Sequence, residues 1–255
     1  MSPLFSRLTT VFIITHLVIA LNLRSAPTSA HESFSQEQKQ DIQKIIYDFI
    51  QENPEAILLA IQRHRKNTEI AELARTRAAI KNKNKELTRD ETDPVIGNPA
   101  GNVTVVEFFD YRCGYCKQIL PTIQKLLKSD KNLRLVYKEF PILGPASMLA
   151  SRAALSVWRI APDKYQAFHE ELMSSRSSIN QSMVMNIAKK MGLKIDVLKQ
   201  VMEDKSIDAK IASTFKLADS LGVNGTPAFV IGGEVVPGVA DIATLRRLIS
   251  KARKN

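Results

Sequence analysis

Two cysteines, Cys113 and Cys116, stand three positions apart in the run VVEFFDYRCGYCKQILP, and the chain has no others. Thiols at this spacing can close into a small disulfide ring and reopen, passing two electrons by thiol–disulfide exchange. The attacking species is the thiolate. A sulfur in the first turn of a helix meets backbone N–H groups without intrahelical partners and the positive end of the helix dipole, and both favour that form. Other uses of a C-x-x-C pair fit less well. Structural zinc wants four ligands, and the only imidazoles, His16, His31, His64 and His169, are scattered along the chain, so zinc would need two chains to share it. A purely structural disulfide across so short a loop would constrain the unfolded chain little. Paired soft thiolates also suit Cu(I), which leaves a copper-handling role at Cys113 and Cys116 as an alternative. No resident cofactor or other metal is expected.

The flanking elements position the pair. Val103 to Phe109, VTVVEFF, is β-branched and aromatic, as a buried strand should be. After Cys116, KQILPTIQKLLK places Ile119, Leu120, Ile123, Leu126 and Leu127 at helical spacing, so the cysteines fall on a strand-to-helix turn. Leu133 to Ile142, LRLVYKEFPI, predicts a second strand, and a strand–helix–strand order implies a right-handed parallel crossover. Helical patterns then run from about residue 145 to 222. GTPAFVIGGEVVPG predicts two short strands about a Gly232-Gly233 hairpin, and a last helix follows from Asp241 to Lys251. The expected fold class is α/β, a mixed sheet with a large helical insertion, preceded by an α-helical N-terminal extension.

Residues 1–30 have the pattern of a secretory signal: Arg7, then the apolar core VFIITHLVIAL, then small residues at Thr28-Ser29-Ala30 before a cut ahead of His31. Retention as a membrane anchor is the other reading, and either one exports the rest of the chain. Export permits disulfide chemistry. The formal charge of +10 loses Arg7 and Arg24 with the signal, leaving +8. That charge is spread over many helices without interleaved aromatics, so nucleic-acid binding is not expected. Acidic clients or anionic membrane surfaces remain compatible with it.

From residue 31 to 92 the chain reads as mostly helical. Ser35 and Gln38 form a capping-box pattern, and Ile42, Ile45, Ile46, Phe49 and Ile50 share one stripe. Asn53-Pro54 breaks or restarts the helix. Ile57, Leu58 and Ile61 continue the apolar pattern, thinning to Ile70, Leu73 and Ile80. Such a stripe is buried either on its own domain or in a dimer or trimer through residues 35–87. The polar run Lys81 to Gly101 reads as a linker, with a boundary near Asp93 and a catalytic domain over 93–255.

FFDYRCGYCKQILP, KEFPILGPAS, YQAFHEELM and GVNGTPAFVIGG, in this order, resemble the exported DsbA-like thiol–disulfide oxidoreductases of the thioredoxin superfamily over about residues 93–253. FIQENPEAILLAIQ, from its position, resembles the helical extension of the suppressor-of-copper-sensitivity ScsC type, some of whose members are trimeric isomerases. The resemblance implies a thioredoxin-like fold with Cys113 as exposed nucleophile and Cys116 as buried resolving thiol. Gly114 and Tyr115 become the dipeptide that tunes the redox potential. DsbA has a histidine in its dipeptide where Tyr115 stands, which implies a weaker oxidant here. Thr226-Pro227 matches the loop facing the active site, with a cis bond before Pro227 and the Thr226 backbone available to a client strand. Threonine at that position is the choice of isomerase-like members.

Alternation along the strand does not say which way Glu107 faces; the resemblance places it inward beneath Cys116, where it could relay a proton. Lys138 and Glu139 are expected either to add charge near the site or to pair on the surface, and His169 is expected to be a helix histidine without a catalytic role. The function implied is an exported protein thiol–disulfide oxidoreductase, isomerase-like if oligomeric, recharged by a membrane redox partner and acting on client proteins with thiols or disulfides. A monomeric DsbA-like dithiol oxidase is the alternative.

Overall fold

The computed structural model describes residues 34–254, so the segment read as a secretory signal, His16 and His31 lie outside the described residues. The described chain forms two compact units, 34–61 and 62–254.

In the first unit, helix α1 (Gln36–Glu52) starts at Ser35. The Ser35 hydroxyl accepts from the Gln38 N–H, and the Gln38 side chain accepts from the Ser35 N–H, which completes the predicted capping box. Helix α2 (Pro54–Asn82) starts on Pro54, whose missing N–H costs nothing in a first turn. No residue of α1 is buried, and Ile45, Ile46, Phe49, Leu58 and Leu59 are all exposed.

The second unit is built on five strands in the order β1-β3-β2-β4-β5: β1 (Val95–Gly97), β2 (Val103–Phe109), β3 (Leu133–Glu139), β4 (Ala228–Ile231) and β5 (Glu234–Pro237). Strands β2 and β3 pair in parallel with Val103 opposite Leu133, and the remaining pairings are antiparallel. The mixed sheet with its crossover helix α4 (Gly114–Ser129) is the expected fold class. At the β4–β5 hairpin, Gly232 and Gly233 take φ +54° and +88°, values that only glycine adopts readily. Five helices run between β3 and β4: α5 (Pro145–Ile160), α6 (Pro162–Ser174), α7 (Gln181–Lys190), α8 (Ile195–Met202) and α9 (Lys205–Ser220). The last helix, α10 (Ile242–Lys254), is capped by Asp241, which accepts from the Thr244 N–H.

Alternation along the strands makes two cores. Val105 and Phe109 face α4 and α6, in one cluster with Ile119, Ile123, Phe168 and both cysteines. Val106, Phe108 and Val136 face the other way and pack with Leu217, Val230, Ile80 and Leu87. Burying Ile119, Leu120, Ile123 and Leu126 is worth about 1.5–3 kcal/mol each and presses α4 onto the sheet.

The polar run Lys81–Gly101, read as a linker, carries structure instead: a short helix α3 (Asn84–Thr88) and the edge strand β1. Leu87 and Asp93 are almost fully buried there. A single apolar residue per turn was too weak a signal to reveal this packing from the sequence.

Candidate active site

Cys113 is the N-cap of α4, in extended conformation at φ −70° and ψ 117°, and its carbonyl accepts from the Lys117 N–H. The sulfur therefore sits where the first N–H groups of the helix are without intrahelical partners. Both cysteines are free thiols. Cys113 is 7% exposed and Cys116, one helical turn on, is completely enclosed, while Tyr115 between them is 65% exposed. Only Cys113 has a solvent-facing edge. Burial pushes the Cys116 thiol well above its ordinary range, with the Glu107 carboxylate and the Cys113 sulfur adding to the rise and a hydrogen bond to the Asp110 backbone opposing it.

The turn is held by a residue that sequence reasoning passed over. Asp110, completely buried between strand and cysteines, accepts from the Arg112 N–H at 2.7 Å, the Ser147 hydroxyl at 2.7 Å and the Leu143 N–H at 2.9 Å. Its own carbonyl accepts from the Cys113 N–H. One side chain thus ties the redox turn to the loop after β3 and to the first turn of α5. The signal available was an aspartate directly after an apolar strand and two residues before an N–H it could accept, the Asx-turn pattern.

Across from the turn, the loop before β4 brings Thr226-Pro227 to the cysteines. The bond between them is cis, and the Cys113 thiol donates to the Thr226 carbonyl oxygen at 3.2 Å. Cys113, Cys116, Thr226 and Pro227, brought from both ends of the domain sequence, form one site with Gly114 and Tyr115 on its helix side.

Glu107 faces the cysteine side of the sheet, since it alternates with Val106 and Phe108 and shares its face with Val105, Phe109 and Cys116. It is buried, and burial alone pushes its carboxyl up to about 8. A carboxyl that holds its proton to that pH can give and take it near neutrality.

Lys138 and Glu139 are not surface groups, and they face opposite ways. Lys138 is completely buried in the second core and paired with Asp93, while the Glu86 carbonyl accepts from it at 2.5 Å. Lys210 of α9 reaches the same Asp93 at 2.6 Å and Asp90 at 2.6 Å. The surface expectation failed because a strand buried on both faces gives charged side chains no route to water. Glu139 lies on the cysteine side, accepting from Tyr111 and Tyr165 at 3.1 Å each and from Ser151 at 2.7 Å, and burial pushes it up to about 8.

His169 stacks on Tyr137 at a centroid distance of 4.3 Å and meets the Tyr111 hydroxyl through Nδ1 at 3.1 Å; burial lowers its pKa to about 3. The imidazole is therefore neutral, a packing group rather than a charge carrier. Among the described residues no three Cys, His, Asp or Glu side chains gather into a metal site.

This geometry, a helix-start dithiol facing a cis Thr-Pro carbonyl, has relatives. The family described as DSBA-like thioredoxin domain matches residues 104–250. A thioredoxin-like oxidoreductase from Silicibacter pomeroyi superimposes with a TM-score of 0.64 at 44% identity, covering 67% of this chain and 98% of that one. A linker-deleted variant of Proteus mirabilis ScsC covers 88% of this chain and 98% of its own, with a TM-score of 0.66 at 26% identity. Disulfide bond formation protein D of Bacillus subtilis is 28% identical over 171 residues, which are 63% of this chain and 77% of that protein. With its redox turn and proline loop in place, the chain belongs to the DsbA-like thioredoxin family and is a thiol–disulfide oxidoreductase.

Proposed function

We propose that this oxidoreductase works on exported proteins, with Cys113 as the sulfur that meets the client and Cys116 as the one that resolves it. The observation that carries the division of roles is their unequal burial: Cys113 keeps an exposed edge and Cys116 has none. In the oxidising direction a client thiolate attacks Cys113 Sγ, the Cys113–Cys116 bond breaks, and Cys116 leaves with the electron pair. The buried leaving sulfur needs a proton, and Glu107, whose charge bears on the Cys116 thiol while Glu139 is engaged by Tyr111, Tyr165 and Ser151, is the group to supply it. A second client thiolate then attacks the first client sulfur, forming the client disulfide and releasing Cys113. Shuffling runs through the same mixed disulfide, with Cys113 attacking a client disulfide and being expelled after a different client thiol has closed.

Isomerisation is the favoured direction if the first unit self-associates, since several dithiols on one particle see a bound client at high effective concentration. The exposed Ile45, Ile46, Phe49, Leu58 and Leu59 support association, as such a density of apolar side chains is rarely left in water. Export rests on the Arg7, apolar-core and Thr-Ser-Ala pattern of residues 1–30. A membrane partner is proposed to recharge the pair. The test is recovery of a scrambled-disulfide substrate beside oxidation of a reduced one, with mass in solution measured on the same sample, for wild type and an Ile46→Glu/Phe49→Glu variant. Loss of both mass and recovery, with oxidation kept, is expected. Full recovery from a monomer would refute the oligomeric isomerase.

A further inference from the structure

A client sulfur joined to Cys113 carries chain in both directions, and each extended residue covers about 3.3 Å, so several residues beside the cysteine must lie along the enzyme. A cavity of about 1110 Å³ opens at Tyr115, Thr226 and Pro227 and continues between the second half of α2 and strand β5. That is larger than the ~300–1,000 Å³ of a typical small-molecule site. One wall is β5, whose outer edge has no neighbour in the sheet. The other is α2, through Glu69, Leu73 and Thr76.

The helix is held there by Ile80, buried against Val106, Phe108 and Val230. Leu73 and Thr76 stand seven and four residues before Ile80, on the same helical face, so the face that anchors α2 continues upward as the groove wall. Leu73 is 50% exposed and Tyr115 65%, so two large side chains of the cavity lining stand open to solvent. The charges on the α2 wall, Glu69 and Glu72 against Arg75 and Arg77, cancel and select no ion.

Resting on the thiol–disulfide reading above, the geometry points to this groove as the seat of an extended, apolar client segment, with α2 rather than the redox domain sheet alone setting which cysteines are served. The segment adds along the β5 edge, as peptides do on open sheet edges, and sets an apolar side chain against Leu73. A second copy of this chain is the weaker occupant: it has no cysteine beyond its own pair with which to reach Cys113.

The test uses the full chain without residues 1–30 and an apolar ten-residue peptide with one central cysteine, oxidised onto a second thiol. A Leu73→Glu/Thr76→Arg variant is expected to raise the peptide KM at least five-fold while kcat stays within two-fold. An unchanged KM, or a change of mass in solution in place of a change in KM, would overturn the proposal. A second measurement does not depend on that variant's folding: Cys116→Ser, holding the peptide as a mixed disulfide through a photoreactive residue three positions from its cysteine, should cross-link to residues 69–76. Cross-links confined to α6 and α7 would overturn the groove and leave the exchange chemistry standing; no mixed disulfide at all would overturn the exchange chemistry and the groove together.

Discussion

The Cys113 thiol donates to the Thr226 carbonyl oxygen at 3.2 Å across 113 positions of sequence. Once Cys113 is joined to a client sulfur it has no proton to donate, and the Thr226 carbonyl oxygen loses this donor.

Replacing either cysteine should therefore have different effects. Cys113→Ser should reduce turnover of any disulfide substrate to background. Cys116→Ser should accumulate covalent client adducts that a reductant releases, visible as mass shifts on non-reducing gels. Covalent client adducts on Cys113→Ser, or none on Cys116→Ser, would contradict the assignment.

Glu107 links pH to stability. Its carboxyl ionises at about 4.5 when exposed and about 8 when folded, so the folded state holds a proton that the unfolded state has lost. Stability should then fall as pH rises from about 4.5 to about 8 and level off above. Glu139 contributes in the same window and direction. Glu107→Gln should flatten part of this slope in urea unfolding series at several pH values. It should also slow oxidation of a dithiol about 10–100-fold, at or below the usual range for a lost general acid or base of ~10²–10⁴.

The buried pair Lys138 and Asp93 invites a double substitution. Lys138→Met leaves Asp93 in the core with Lys210 alone, and breaking such a pair costs about 3–5 kcal/mol. The Lys138→Met/Asp93→Leu double variant should regain much of that loss, because both charges leave together. A double variant no more stable than the single one, by chemical denaturation, would show that Lys210 or Glu86 matters more than the pair.

Asp110→Ala removes the acceptor of three hydrogen bonds and leaves the buried Ser147 hydroxyl and the part-buried Arg112 and Leu143 N–H groups without it. Unpaired buried groups cost about 1–3 kcal/mol each, so a loss of several kcal/mol is expected, with Asp110→Asn milder. The melting temperature and the thiol reactivity of Cys113 should both change, since the turn that carries the sulfur loses its tether.

Much of this molecule could be read from residue order. The dithiol turn, the crossover from β2 to β3 and the hairpin at Gly232-Gly233 rest on local spacing, which sequence carries openly. Glu107 was harder, because a strand buried on both faces shows no polar alternation; its direction follows only from which neighbours each side chain meets. β1 is three residues long in a polar run, and its pairing with Val136 and Leu135 is a long-range fact. Tyr111, Glu139 and His169 come from the turn after β2, from β3 and from α6, and meet only in three dimensions.

The tether at Asp110 makes the redox turn and the helical insertion a single mechanical part. Because the same carboxylate grips Arg112 beside the nucleophile and Leu143 and Ser147 at the root of α5, the place of the sulfur is set from the start of the helical insertion as well as from the strand that carries it.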